Sequence, residues 1–384
     1  MSRMVSHGAG PGLRKTSARW AVGGLAAAAT VAGGLAAAPS AMAVATIPVA
    51  CTTASLIGAI GGAPSNAILV LKSNCVYRVT APLPTITRNL TITGSNATIR
   101  NTSAAHFTLL TNNGANVSIN RLEFEDASAT AVGSAGALAN LGGGSMTLTG
   151  DRFIDDDGVI GGAVQNGTSG TLTVTGSYFD HNASSGLGGG AISNALLGTV
   201  TVSGTQFLEN DANGVGYGGA IGSAGGTVTV QAPASTFSHN TAQGTGGAIA
   251  AITGTLNVAQ ATFHDNVAFK GGGAIANLGG PATIATSGFT HNRSFLAGGA
   301  IQTATLTNLT SDSISLNRAS TTGGGVAVTG GTTTLSTTAI FSNFAGTTGG
   351  GIWVAIGGTA TFLNSSIVQL NHPNNCVGTS TCPA

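Results

Sequence analysis

Residues 271–292 read GGGAIANLGGPATIATSGFTHN, and residues 246–266 read GGAIAAITGTLNVAQATFHDN. Both frames run from a Gly-Gly-Ala-Ile corner through a threonine-rich stretch to an aromatic residue followed three positions later by asparagine. Aligned on the alanine of GGA, the chain gives Ala137, Ala163, Ala191, Ala220, Ala248, Ala274 and Ala300, with Val326 and Ile352 in the same slot. The step stays between 26 residues (Ala137 to Ala163) and 29 (Ala191 to Ala220). A period of this size, sustained over most of the chain, is that of a solenoid.

The repeats are rich in Gly and Thr and lack a 3.6-residue apolar period, which excludes a helical solenoid. Between the glycines stand TLTVTG (171–176), TVTVSG (199–204) and TVTVQA (227–232). They alternate Thr with Val or Leu, as strands with one buried face do. One turn holding two or three such strands is a coil of a parallel β-helix, and coils stack at about 4.8 Å. The fold expected is therefore all-β, a right-handed parallel β-helix of about 11 coils.

Stacking turns each repeated letter into a column. Phe124, Phe153, Phe179, Phe207, Phe237, Phe263 and Phe289, then Ile314 and Ile340, form an expected core ladder. Three residues on lie Asp156, Asn182, Asn210, Asn240, Asn266, Asn292, Asn317 and Asn343. These asparagines are expected to take the left-handed turn conformation and to hydrogen-bond from coil to coil. The Gly pair marks another corner, needed for φ > 0 or for close backbone approach.

Composition agrees with a folded, unusual β protein. Of 384 residues, 42% are hydrophobic but only 7% are charged, with 61 glycines and a formal net charge of +1. Disorder would need less hydrophobicity and more charge. No basic stripe is present, so nucleic acid is not expected as a partner. Residues 1–43 read as an export signal: Arg3, Arg14, Lys15 and Arg19 precede an Ala/Gly/Val/Leu stretch, and Ala41-Met42-Ala43 offers small residues at cleavage spacing. The mature protein is expected to be secreted, without a membrane span, and monomeric.

Cys51 with Cys75, and Cys376 with Cys382, form two tight pairs at the ends of the mature chain. In an exported protein this spacing reads as two local disulfides. Thr52–Ile60 places Leu56, Ile57 and Ile60 at helical spacing behind a Thr N-cap, a short amphipathic helix able to cover the first coil. The organisation expected is a signal (1–43), an N-terminal cap with a leading strand (44–80), the β-helix (81–372) and a disulfide cap (373–384).

The GGAI and F-x-x-N tetrapeptides resemble the repeats of the chlamydial polymorphic outer-membrane proteins. The wider layout, CTTASLIGAI, NCVYRV, LTITGSNATIR, the GGA coils and NHPNNCVGTSTC, is similar to secreted bacterial right-handed parallel β-helix repeat proteins and spans residues 51–384. The resemblance implies a pectate-lyase-like solenoid. It does not imply one activity, because this fold hosts many.

Two residues after the aromatic, seven coils carry Asp126, Asp155, His181, Glu209, His239, Asp265 and His291. In a chain this poor in charge, such a column is either a titratable ridge for a ligand or a solvated turn of mixed sign. Asp155, Glu209, Asp265 and Arg293 are the candidate catalytic groups for a polysaccharide lyase or hydrolase. Asp155, Asp156 and Asp157 are the candidate calcium ligands, although they match no calcium-loop pattern. Arg293 and Arg318 share a slot in adjacent coils and could attract an anion. Tyr217 and Trp353, in different coils, make no sugar platform. These features favour a noncatalytic extracellular binding or adhesion scaffold without a cofactor, whose partner is a polysaccharide or a cell surface.

Overall fold

The computed structural model describes residues 44–383; the expected signal lies outside them. Those residues form a parallel β-solenoid with three faces. One coil shows how the sequence makes it. Thr199–Ser203 and Gln206–Leu208 lie on a long face, Asp211–Ala212 on a narrow face, and Ile221–Ser223 on a third. The first strand alternates half-buried Thr with buried Val, so its apolar side faces the core. The third-face strand is buried throughout, with the small Gly222 and Ser223 following Ile221.

Thirteen strands stack along the first track of the long face, from Thr46–Val49 and Ala67–Leu71 to Gly358–Leu363. The solenoid is thus longer than the eleven coils expected. Residues 46–49 already pair in parallel with 68–71, so the leading segment contributes coils of its own.

The aromatic column is the core. Phe124 to Phe289 are fully buried, with successive ring centroids 4.6 to 5.2 Å apart and planes within 10°. The column extends further back than expected, pairing Phe124 with Ile99 and Ile99 with Tyr77. Tyr77 is buried because its hydroxyl donates to Val49 O (3.1 Å) and accepts from Lys72 N (3.0 Å).

The asparagine column is also buried, and its amides form a chain. Asn182 Nδ2 donates to Asn210 Oδ1 (2.8 Å), and the links through Asn240, Asn266, Asn292, Asn317 and Asn343 to Asn371 are 2.9 Å each. One expectation is corrected here. The left-handed residue is not the asparagine but its predecessor, so Asn turns inward and the ridge residue turns out.

At the glycine corner both expected reasons apply, one to each residue. Gly272 has φ of +62°, and a Cβ on Gly273 would strike the Gly299 carbonyl oxygen.

A helix, Thr53–Gly62, follows the N-cap Thr52, whose hydroxyl accepts from Ser55 N (3.1 Å). Leu56 and Ile60 are buried, whereas Ile57, expected on the same face, is exposed. Both disulfides join the expected partners, Cys51–Cys75 and Cys376–Cys382. Replacing Cys51 and Cys75 together by Ser is expected to cost about 3 kcal/mol, against about 2 for the shorter C-terminal loop. Denaturant titration of the two double variants checks the order.

Candidate functional site

The ridge exists, and its backbone explains it. Asp126, Asp155, His181, Glu209, His239, Asp265 and His291 all have φ between 53° and 58°. Each side chain therefore leaves a tight turn pointing outward, between the long face and the narrow one. Leu316, Ser342 and Leu370 fill the same slot in later coils with φ of 60°, 56° and 58°, so the position does not demand a charge.

Several of the charges present are engaged. Arg100 holds Glu125 (2.8 Å) and Asp126 (2.7 Å). His181 bridges Asp180 (2.7 Å) and Glu209 (2.8 Å). Burial acts to lower the His181 pKa, but the hydrogen bond that its ring donates to Asp180 and the charges of Asp180 and Glu209 outweigh it and raise it. Asp265 Oδ2 lies 3.0 Å from His264 Nδ1 and 4.0 Å from His239 Nε2. The sequence reading missed His264 as a member of this group. The ligand atoms of His239, His264 and Asp265 lie within 4.8 Å of one another. Two imidazoles and one carboxylate suit zinc or copper better than calcium.

The three consecutive aspartates do not converge. The left-handed turn at Asp155 (φ 55°) leaves Asp155 and Asp157 exposed and puts Asp156 into the core. Asp156 occupies the asparagine column: its Oδ1 accepts from Ala127 N (3.0 Å), its Oδ2 is buried without a partner, and burial raises its pKa well above the usual value. Three aspartates in a row thus offer no common set of calcium ligands.

Among the described residues, Arg293 forms no ion pair with the acids proposed with it. It begins a short narrow-face strand, in register with Arg318 and then Phe344. The guanidiniums of Arg293 and Arg318 lie over the rings of Phe295 (4.3 Å) and Phe344 (4.6 Å). The same outward column begins with Asp157, Ala183 and Asp211. Burial raises the pKa of Asp157 and of Asp211, Asp155 adding to the first and Asn213 opposing the second.

Among the described residues, grooves open at two places on the surface that bear on the site. One, of about 450 Å³, lies where the long-face register shifts between Thr93 and Ala97, and is lined by Asn96, Arg121, Glu123 and Arg152. Glu123 is its one carboxylate and is held by Thr98 Oγ1 (3.0 Å) and Arg152 Nε (3.1 Å). The other, of about 300 Å³, is lined by Ser128, Thr130, Asp157, Ser185 and Asn213. Neither was read from the sequence, since each gathers residues from several coils. Tyr217 and Trp353 lie in separate coils, as expected.

No protein-family model and no curated protein sequence matches the chain. Among solved structures, it is similar to the catalytic unit of a thermostable GH87 alpha-1,3-glucanase from Streptomyces thermodiastaticus strain HF3-3. The TM-score is 0.52 at 15% identity, over 89% of this chain and 71% of the glucanase unit. It is also similar to tailspike protein 3 of bacteriophage CBA120, with a TM-score of 0.40 at 11% identity, over 86% of this chain and 59% of the tailspike. At such identity the glucanase likeness shows the fold. Among the described residues no helix is long and apolar enough to cross a membrane.

Proposed function

We propose that this chain is an exported, noncatalytic β-solenoid whose outer surface binds an extracellular polysaccharide. The observation that carries the reading is the state of the acids. Glu209 and Asp265 are held by imidazoles, and each groove is lined by a single carboxylate. A glycan hydrolase needs two carboxylates across one bond with pKa values pushed apart, and a lyase needs a cation-bound acid cluster beside a base. Two disulfides support an oxidising, extracellular location. The glucanase likeness supplies the ligand class to test.

A hydrolase is the second reading, and one observation favours it. Asp157 and Asp211 flank Ala183 on the narrow face, two coils apart, or roughly 9.6 Å by strand spacing. That is near the separation of carboxylates in inverting glycosidases, about 6.5–9.5 Å. Against it, both pKa values move in the same direction.

Purified protein is expected to be retarded in gels by at least one of a panel of pectins, alginates and neutral glucans. It is expected to release no reducing ends or unsaturated uronates from any of them, with calcium present. EDTA should leave the retardation unchanged. Turnover abolished by D157N/D211N would replace this reading with the hydrolase.

A further inference from the structure

We infer that the narrow face from Phe269 to His372 is a binding strip for an acidic polysaccharide, a proposal that rests on the polysaccharide-binding reading above. Charge is distributed unevenly along the solenoid. Of the chain's 12 acidic residues, all but Asp312 fall at or before Asp265. Asp312 is buried, accepting from Ser287 N (2.8 Å) and Thr310 N (2.9 Å). Lys270, Arg293 and Arg318 all come later and are exposed. The last third of the solenoid thus presents cationic side chains and, among the described residues, no exposed acidic one.

Those cations are organised with rings. Phe269 and Phe295 stack at 4.6 Å, and Phe344 stacks on His372 at 5.4 Å. Arg293 covers Phe295, and Arg318 covers Phe344. Among the described residues, no carboxylate lies within 4.0 Å of either guanidinium. Phe269 is 39% exposed.

This arrangement selects the chemistry of the ligand. A neutral sugar is gripped by the open face of a ring, but here Phe295 is stacked on Phe269 and covered by the Arg293 guanidinium, and Phe344 is stacked on His372 and covered by that of Arg318. What this arrangement offers a ligand is the positive ring edge and the N–H fork of the exposed Arg293 and Arg318. Both favour anions, and the fork fits a carboxylate in two-point contact. Arg293 and Arg318 are one coil apart, and the coil rise of about 4.8 Å is close to the length of one pyranose in an extended chain. A polysaccharide lying along the axis would offer successive acidic groups to successive coils.

The test uses the full chain and affinity electrophoresis at two salt concentrations. The probes are polygalacturonate, fully methyl-esterified pectin, dextran, polyglutamate and single-stranded DNA. Polygalacturonate is expected to bind, less tightly at high salt, while the two neutral polymers bind far more weakly. R293Q/R318Q should weaken binding by roughly tenfold or more with an unchanged melting temperature. R293K/R318K, which keeps the charge and loses the fork, should fall between, and it decides the matter should the glutamine variant melt early. Equal binding of neutral glycans, indifferent to both double variants, would overturn the strip and leave the polysaccharide-binding reading standing. Equal binding of polyglutamate or DNA would overturn the polysaccharide assignment. Turnover of a glycan would overturn the noncatalytic reading, with the strip still judged by the arginine variants. Absence of binding to every probe would overturn both.

Discussion

Phe237→Ala is expected to destabilise the solenoid by about 3–5 kcal/mol, the cost of truncating a buried aromatic. Phe237 is fully buried, stacked at 4.7 Å on Phe207 and 4.8 Å on Phe263. Its ring cannot be replaced by local collapse. The coils above and below are held apart by parallel ladders at Thr236↔Thr262 and Gln206↔Thr236, so the cavity stays open. A solenoid repeat contacts only its neighbours, so losing one rung also weakens the coupling between the two halves. Guanidinium titration should show an earlier midpoint, and a loss below about 1 kcal/mol would mean that the ring is not part of the core. Phe295→Ala, in the outer stack, serves as a control and is expected to cost much less.

The solenoid was legible because stacking writes geometry directly into sequence as a period. Phe, Asn and Gly each recur at one phase, and each marks one column. Less legible was which residue bends the chain. Asparagine is a common left-handed residue, but here its amide serves the interior, and His or Glu takes the strained turn. A second hydrogen-bond column escaped notice because its members differ. Asp151 N donates to Ser177 Oγ, Ser177 N to Thr205 Oγ1, and Ser287 N to Asp312 Oδ1, three residue types filling one role. A third, Asn112–Asn140–Asn166–Asn194, lay hidden among the other polar residues of the chain. The Asp155–Asp157 run misled because identity in sequence suggests a cluster, while the left-handed turn at Asp155 sends the middle one inward. The pair Arg293 and Arg318 was legible as one slot in adjacent coils, but the rings beside them, Phe295, Phe344 and His372, were not, because they are of a different kind from the arginines.

The buried acids lead to the last expected result, a fall in stability as pH rises. Burial pushes the carboxyls of Asp151 and Asp312 up to about 7, with backbone N–H donors opposing it, and raises that of Asp156 well above the usual value. A raised folded-state pKa means that the folded protein binds more protons than the unfolded chain between about 4 and the folded value. The stability these groups contribute is full below about 4 and is lost as pH rises through about 7. Moving one carboxyl from 3.8 to about 7 corresponds to roughly 4 kcal/mol. His181, also raised, acts in the same direction. The melting temperature should therefore be higher at pH 5 than at pH 8, and a flat or rising profile would contradict the assignment. Two substitutions separate the causes. Asp156→Asn should stabilise the protein at pH 8 by roughly 1–3 kcal/mol and flatten the profile. Its new amide would take the place that Asn182 Nδ2 fills one coil on, donating to Asn210 Oδ1 and Phe153 O. Asp151→Asn should instead destabilise. Both Asp151 oxygens accept backbone N–H groups, from Leu122 (2.8 Å) and Thr149 (2.9 Å), and an amide would set an N–H against one of them.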